Sequence, residues 1–362
     1  MGLGHEGVRH EKCGTIPEQP KFGGPPPVSP FPNLIPSPNV EEEPLFLTIR
    51  ELGTRLRTGA FTPLELTQAY LERSQRLGPE LKAYATLTPA RALRQARQAT
   101  AELAAGHDRG PLHGIPYAAK DLLAVAGYPT TWGAKPYENQ HFATDATVIQ
   151  RLDQAGAILI GKAAMIELAG GLGYSGPHAS LTGACHNPWN PAYWTCGSSS
   201  GSGAITSAGL AGFALGSDTR GSIICPSTWC GISGMRPSFG RVSRHGVTTV
   251  AWTMDKIGPM ACSADCLALV LGAIAGHDPL DWDSLPEAEA VFVMPPERPL
   301  RIGRLTNVFP NAQPELHQAV DRALGVLRAQ GVAVEDAPSP PGPMKRRASW
   351  SSWSRRPAPT RS

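Results

Sequence analysis

Three short apolar runs bounded by glycine or proline turns, at residues 115–119, 157–160 and 211–215, set the strongest limit on what this chain can become. Each is four or five residues long, the length of a strand buried on both faces and too short for a helix that must cover a core. Between the first two, residues 147–155 carry apolar side chains at helical spacing. Strand and helix therefore alternate, which is the texture of an α/β sheet. Composition agrees: 39 glycines and 36 prolines are about a fifth of the 362 residues, against roughly 12% in an average protein. So many turns exclude a mainly helical bundle.

Local signals place the helices that open the folded part. Thr48 with Glu51, and Thr62-Pro63 with Glu65, each form a capping box, the second with proline at the first helical position. A third helix is predicted over 89–105, rich in Ala, Arg and Gln, and stopping at Gly106. Later, residues 301–305 and 332–334 read as short strands on either side of a helical pattern at 315–330, giving one more βαβ-like unit. No repeat at solenoid spacing is present. Residues 1–44 hold ten prolines without apolar periodicity and read as a disordered leader. Residues 338–362 hold six prolines, six serines and six Lys or Arg without one acid, and read as a disordered basic tail. The expected folded domain is 45–337.

The formal charge of +3 resides in that tail, since the rest of the chain has 27 basic against 30 acidic residues. A folded part without a basic stripe argues against nucleic acid as a partner. Seven cysteines at irregular spacing contain no CxxC pair, so neither a metal nor a cofactor is expected. Cys262 and Cys266, four apart in an apolar pattern, are expected as buried thiols. No run approaches the roughly 18 apolar residues of a membrane span, and the first residues lack an apolar signal core. A cytoplasmic protein without membrane contact is expected.

Residues 187–227 carry the densest candidate site: two loops of small residues joined by a small-residue stretch. Such loops can turn backbone N–H groups onto a phosphate. The details disagree, because no lysine follows either glycine cluster as a Walker loop requires, and no GxGxxG opens a βαβ unit. Gly197-Ser198-Ser199-Ser200-Gly201 also fits the G-x-S-x-G nucleophile elbow, which needs a strand just before it. Asn187-Pro188-Trp189-Asn190-Pro191 cannot be a central strand, because two prolines remove ladder donors.

A third pattern fits better. GSSSGSGA from Gly197 is followed by Gly216-Ser217-Asp218-Thr219-Arg220-Gly221-Ser222-Ile223, with Ser222 24 residues after Ser198. Upstream stands Gly114-Ile115-Pro116-Tyr117-Ala118-Ala119-Lys120-Asp121, and downstream GMRPSFGRVSR from Gly234 and MDKIGP from Met254. In this order and spacing, over roughly 46–337, the segments resemble the amidase signature family. The resemblance implies an α/β fold with one large domain, a mixed twisted central sheet and helices on both faces. It implies Ser222 as nucleophile, Ser198 as bridging serine with a cis peptide before it, and Lys120 as base, with Ser199 and Asp218 in support. The backbone N–H groups of Thr219, Arg220, Gly221 and Ser222 would form the oxyanion hole, where one donor can contribute about 3 kcal/mol. The catalytic residues are expected together at one sheet edge.

The chemistry explains why such residues must meet. A serine hydroxyl attacks an amide only as it loses its proton to a positioned base, and a lysine serves as base only when neutral. Burial favours the neutral amine, provided Asp121, the next residue along a strand, points away. Taken singly, the serine run would be a flexible linker and Lys120 a solvated surface lysine. Two departures from the family pattern stand out: Arg220 where glycine is usual, and Ile224 where an arginine commonly follows Ser-Ile. The tail resembles no family segment, and a C-terminal truncation is expected. Three functions follow from these readings. The first is an amidase acting on a small-molecule carboxamide, as a homodimer or otherwise. The second is the glutamine-hydrolysing A subunit of a tRNA-dependent amidotransferase, with B and C subunits as partners. The third is an inactive truncated product.

Overall fold

The structure, a computed structural model, describes residues 43–170, 176–286, 300–306 and 312–337. All of the expected tail and all of the expected leader before Glu43 lie outside them; Glu43 and Pro44 belong to a short 3-10 turn, Glu43–Phe46. The chain divides into two compact units, Met1–Phe292 and Val293–Ser362.

The first unit opens with α1 (Ile49–Arg57) and α2 (Pro63–Leu81). Both capping boxes form: Thr48 and Thr62 accept the N–H of Glu51 and Glu65, and each glutamate carboxylate returns to the cap backbone. Strand β1 (Tyr84–Leu87) leads into α3 (Pro89–Ala104), which ends at Gly106 in the left-handed region, φ 78°. Then follow β2 (Pro116–Lys120), α4 (Thr147–Gln154) and β3 (Ile158–Ala163). A hairpin, β4 (His186–Asn187) with β5 (Asn190–Trp194), precedes α5 (Ser200–Ser207) and β6 (Phe213–Asp218). The unit closes with α6 (Ile224–Cys230), β7 (Ser233–Gly234), β8 (Lys256–Ala261) and α7 (Ala264–Ile274).

Six strands form one sheet in the order β1-β3-β2-β6-β8-β7. The central pairs β3-β2 and β2-β6 are parallel; the outer pairs β1-β3, β6-β8 and β8-β7 are antiparallel. Every residue of β2, β3 and β6 is buried. Successive strand side chains point to opposite faces, so full burial means that both faces of the sheet centre are covered. The mixed sheet with its helices is the fold the sequence implied. Tyr117 and Phe213 stack across the β2-β6 pair, their ring centroids 5.2 Å apart.

As its two prolines required, the segment from Asn187 to Pro191 takes no part in the central sheet: β4 and β5 pair as a separate two-stranded hairpin, where Pro191 interrupts no central ladder. One sequence expectation changes. Cys266 is buried in α7, whereas Cys262 is exposed. Ser263 caps the helix through the Cys266 N–H, so helical periodicity does not reach back to residue 262.

In the second unit, β9 (Arg301–Leu305) and β10 (Ala333–Ala337) pair in parallel, with α8 (Pro314–Ala329) as the connection. The predicted βαβ-like unit is present there. Among the described residues no helix is long and apolar enough to cross a membrane, and no group of three or more His, Cys, Asp or Glu could hold a metal ion.

Candidate active site

The chain runs from β2 to β3 on one side of β2, then returns to place β6 on its other side. A parallel sheet opens a crevice at the carboxyl ends of strands where the winding reverses in this way. Lys120 is the last residue of β2, and Ser217 and Asp218 end β6, so all three reach that crevice. The site therefore lies at strand ends in the middle of the sheet. The sequence expectation of a sheet edge is corrected by the strand order.

Lys120 is fully buried, and its Nζ lies within hydrogen-bond distance of three serine hydroxyls: Ser198 Oγ at 2.6 Å, Ser217 Oγ at 2.8 Å and Ser199 Oγ at 3.0 Å. Burial pushes its pKa down to about 7, against the opposing pull of the Asp218 and Asp255 carboxylates. Ser199 is fixed by β6, donating to the Ser217 carbonyl at 3.1 Å and accepting the Ser217 N–H at 3.2 Å.

The serine loop reaches this position through a turn of two left-handed residues, Cys196 (φ 63°) and Gly197 (φ 59°). No cis peptide bond occurs among the described residues, so the cis peptide implied before Ser198 is not present; the two left-handed residues turn the chain instead. The loop is clamped onto the segment after β3, with the Gly201 N–H on the Ala164 carbonyl at 2.8 Å and the Ile166 N–H on the Ser198 carbonyl at 3.3 Å. Gly201 has no alternative here, since a Cβ would stand 2.3 Å from the Ala83 carbonyl oxygen. The loop meets the second motif directly: the Ser199 N–H donates to the Ser222 carbonyl at 3.2 Å.

Asp218, fully buried, organises that second motif. Its Oδ1 accepts the Gly221 N–H at 2.7 Å, and its Oδ2 accepts the N–H of Ile223 at 2.8 Å and of Ile224 at 3.4 Å. Three donors on one carboxylate curl the chain around Ser222, helped by the φ of 120° at Gly221. The Gly221 N–H is thus already engaged, which removes it from the expected oxyanion set. Thr219 and Arg220 keep N–H groups without a protein acceptor among the described residues. The Arg220 side chain is exposed, and Ile224, in the place of the usual arginine, is 43% exposed.

The structure brings Lys120, Ser198 and Ser199 into direct contact and ties Ser222 to the same loop. Sequence reading missed Ser217. The signal was available, because extending β6 by three residues to Asp218 puts Ser217 beside the lysine. It also missed Asp255, which accepts from the Thr219 hydroxyl and shapes the turn before β8.

Residues 65–355 match the amidase family. The chain belongs to the amidase family. AmiD of Mycobacterium tuberculosis, an amidase by assignment only, is 44% identical over 246 residues, 67% of this chain and 51% of that protein. The glutamyl-tRNA(Gln) amidotransferase of Thermosynechococcus vestitus has an A subunit that is 40% identical over 296 residues, 81% of this chain and 61% of that one. The native peptide amidase of Stenotrophomonas maltophilia superposes with a TM-score of 0.71 at 33% identity, over 80% of this chain and 62% of that enzyme. This amidase-family chain spans about half to three-fifths of the length of the relatives it matches.

Proposed function

We propose that the chain hydrolyses a carboxamide to a carboxylate and ammonia or an amine, through an acyl-enzyme on Ser222. The observation that carries this reading is the fully buried Lys120 amine held among three serine hydroxyls at 2.6 to 3.0 Å. Neutral, the amine has two N–H donors and one lone pair. Ser199 sends its own proton to the Ser217 carbonyl and so can only accept from Lys120. The shortest contact, to Ser198, then suits the lone pair accepting the Ser198 proton.

As Ser222 Oγ bonds to the amide carbon, its proton passes to Ser198, and the Ser198 proton passes to Lys120. Negative charge develops on the former carbonyl oxygen, where the N–H groups of Thr219, Arg220 and Ser222 are the expected donors. Collapse of the tetrahedral species breaks the carbon–nitrogen bond, and the relay runs backward to protonate the leaving nitrogen. Water then enters by the same relay and releases the carboxylate. Ser199 and Asp218 support the site, the first by fixing the amine and the second by holding the Ser222 turn.

The test is ammonia or amine release from a panel of small carboxamides, with Ser222→Ala as control. Turnover that persists in Ser222→Ala refutes the reading. The likeness to the amidotransferase protein supports a second reading, in which glutamine is the amide and ammonia passes to a tRNA-bound substrate. Glutamine hydrolysis that appears only when B and C subunits are added would decide for it.

A further inference from the structure

The residue after Lys120 is a carboxylic acid, Asp121, and it is as deeply buried as the lysine. Such a neighbour is the natural counter-ion for a buried amine, and an ammonium held by it could accept no proton. The fold directs it elsewhere. The Asp121 N–H continues the ladder to the Ala163 carbonyl at 3.0 Å, and its side chain meets Lys162 of β3, with Oδ1 and Nζ 2.8 Å apart. Both side chains have no exposed surface. The second carboxylate oxygen accepts from the N–H of Thr131 at 3.1 Å and from its hydroxyl. Lys162 also donates to the Thr130 hydroxyl at 2.9 Å and the Pro129 carbonyl at 3.1 Å.

We propose that Lys162 is a positioning residue for the reaction: it captures the carboxylate next in sequence to Lys120, and leaves the Lys120 amine to its three serines. Lys162 and Asp121 then act as one neutral unit. The proposal rests on the reading of Lys120 as the base. It accounts for a second buried lysine one strand away that touches none of the serines. The other charges bearing on Lys120 are Asp218 and Asp255, with Arg236 3.6 Å from Asp218 and Lys256 beside both acids. Those bearing on Lys162 are Asp121 and Asp145, the latter already paired with Arg91 at 2.7 Å. Every one of these stays in place when the pair alone is altered.

Unbalancing the pair in opposite senses gives shifts of opposite sign. Lys162→Met leaves a buried negative charge near Lys120, holds the lysine proton more tightly, and moves the acid limb of the pH profile up by about one unit. Asp121→Asn leaves a positive charge and moves the limb down by a similar amount. The double variant, neutral like the wild type, returns the limb to its original place. A merely structural role lowers the rate in all three without this pattern. The readout is the rate of Ser222 labelling by a fluorophosphonate against pH in the full chain, which needs no amide substrate. Wild type that labels at Ser222 but hydrolyses no amide refutes the proposed hydrolysis and leaves the pair testable. Labelling whose acid limb survives Lys120→Met refutes the base. Singles that shift in the same direction, or not at all, overturn the pair. Should the singles not fold, carbon-13 titration of the lysine side chains in the wild type decides instead, with Lys162→Arg giving the assignment. Lys162 is expected to remain charged at the pH where Lys120 has lost its proton; simultaneous titration of the two overturns the proposal.

Discussion

Replacing Lys120 by methionine keeps the buried side chain to within one heavy atom and removes its titratable amine. The wild-type amine has its pKa lowered from 10.5 to about 7 by burial, with Asp218 and Asp255 opposing. Between those values the unfolded chain keeps a proton on this lysine that the native chain has released. Native stability therefore rises with pH there, by about 1.4 kcal/mol per unit. Below about pH 7 both states are protonated, and the native state carries the whole cost of the buried ammonium, on the order of 5 kcal/mol. Lys120→Met lacks this contribution at every pH. Loss of the three serine hydrogen bonds displaces its stability curve without tilting it. Other titrations tilt both proteins alike. Urea unfolding at about pH 7 and pH 9 should show the wild type gaining roughly 2 to 3 kcal/mol on the variant. Parallel curves, or a gap that moves the other way, would mean that Lys120 is charged at neutral pH and cannot be the base.

Ser222→Ala and Lys120→Ala should each lower kcat/KM by about a thousandfold or more in an ammonia-release assay, while Ser198→Ala keeps a small residue, because water can stand in for a proton carrier but not for the nucleophile. Asp218→Asn exchanges an ionised acceptor of three N–H groups for a neutral one, and kcat should fall roughly tenfold or more with little change in KM. Gly201→Ala forces a methyl group against the Ala83 and Ala164 backbone, and thermal unfolding should show a loss of about 2 kcal/mol or more; an unchanged Tm would mean that the serine loop is not clamped as described.

What was legible in the sequence is what neighbouring residues decide among themselves. Thr48 with Glu51 and Thr62 with Glu65 close their capping boxes within four residues, and both helices begin where expected. The run before Lys120 is apolar because β2 is covered on both faces, and its pattern shows that without reference to any other strand. The partners of Lys120 divide along the same line. Ser198 and Ser199 stand in a motif that can be recognised as a string. Ser217 reaches the amine only because β6 runs parallel to β2, with Ala119 opposite Leu215 and the strand continuing to Asp218. Lys162 is the sharper case. In sequence it is one polar residue after Ile158-Leu159-Ile160-Gly161, and a lysine so placed reads as solvated. Its burial follows from the β2-β3 register, which sets Ala119 against Lys162 and Lys120 against Ala163 and so brings the residue after Lys120 to Lys162. The serines that can exchange protons are written in the motifs. That Asp121 points away from Lys120 follows from strand alternation alone; that a buried lysine meets it there is set by strand pairing, and only the folded chain displays that.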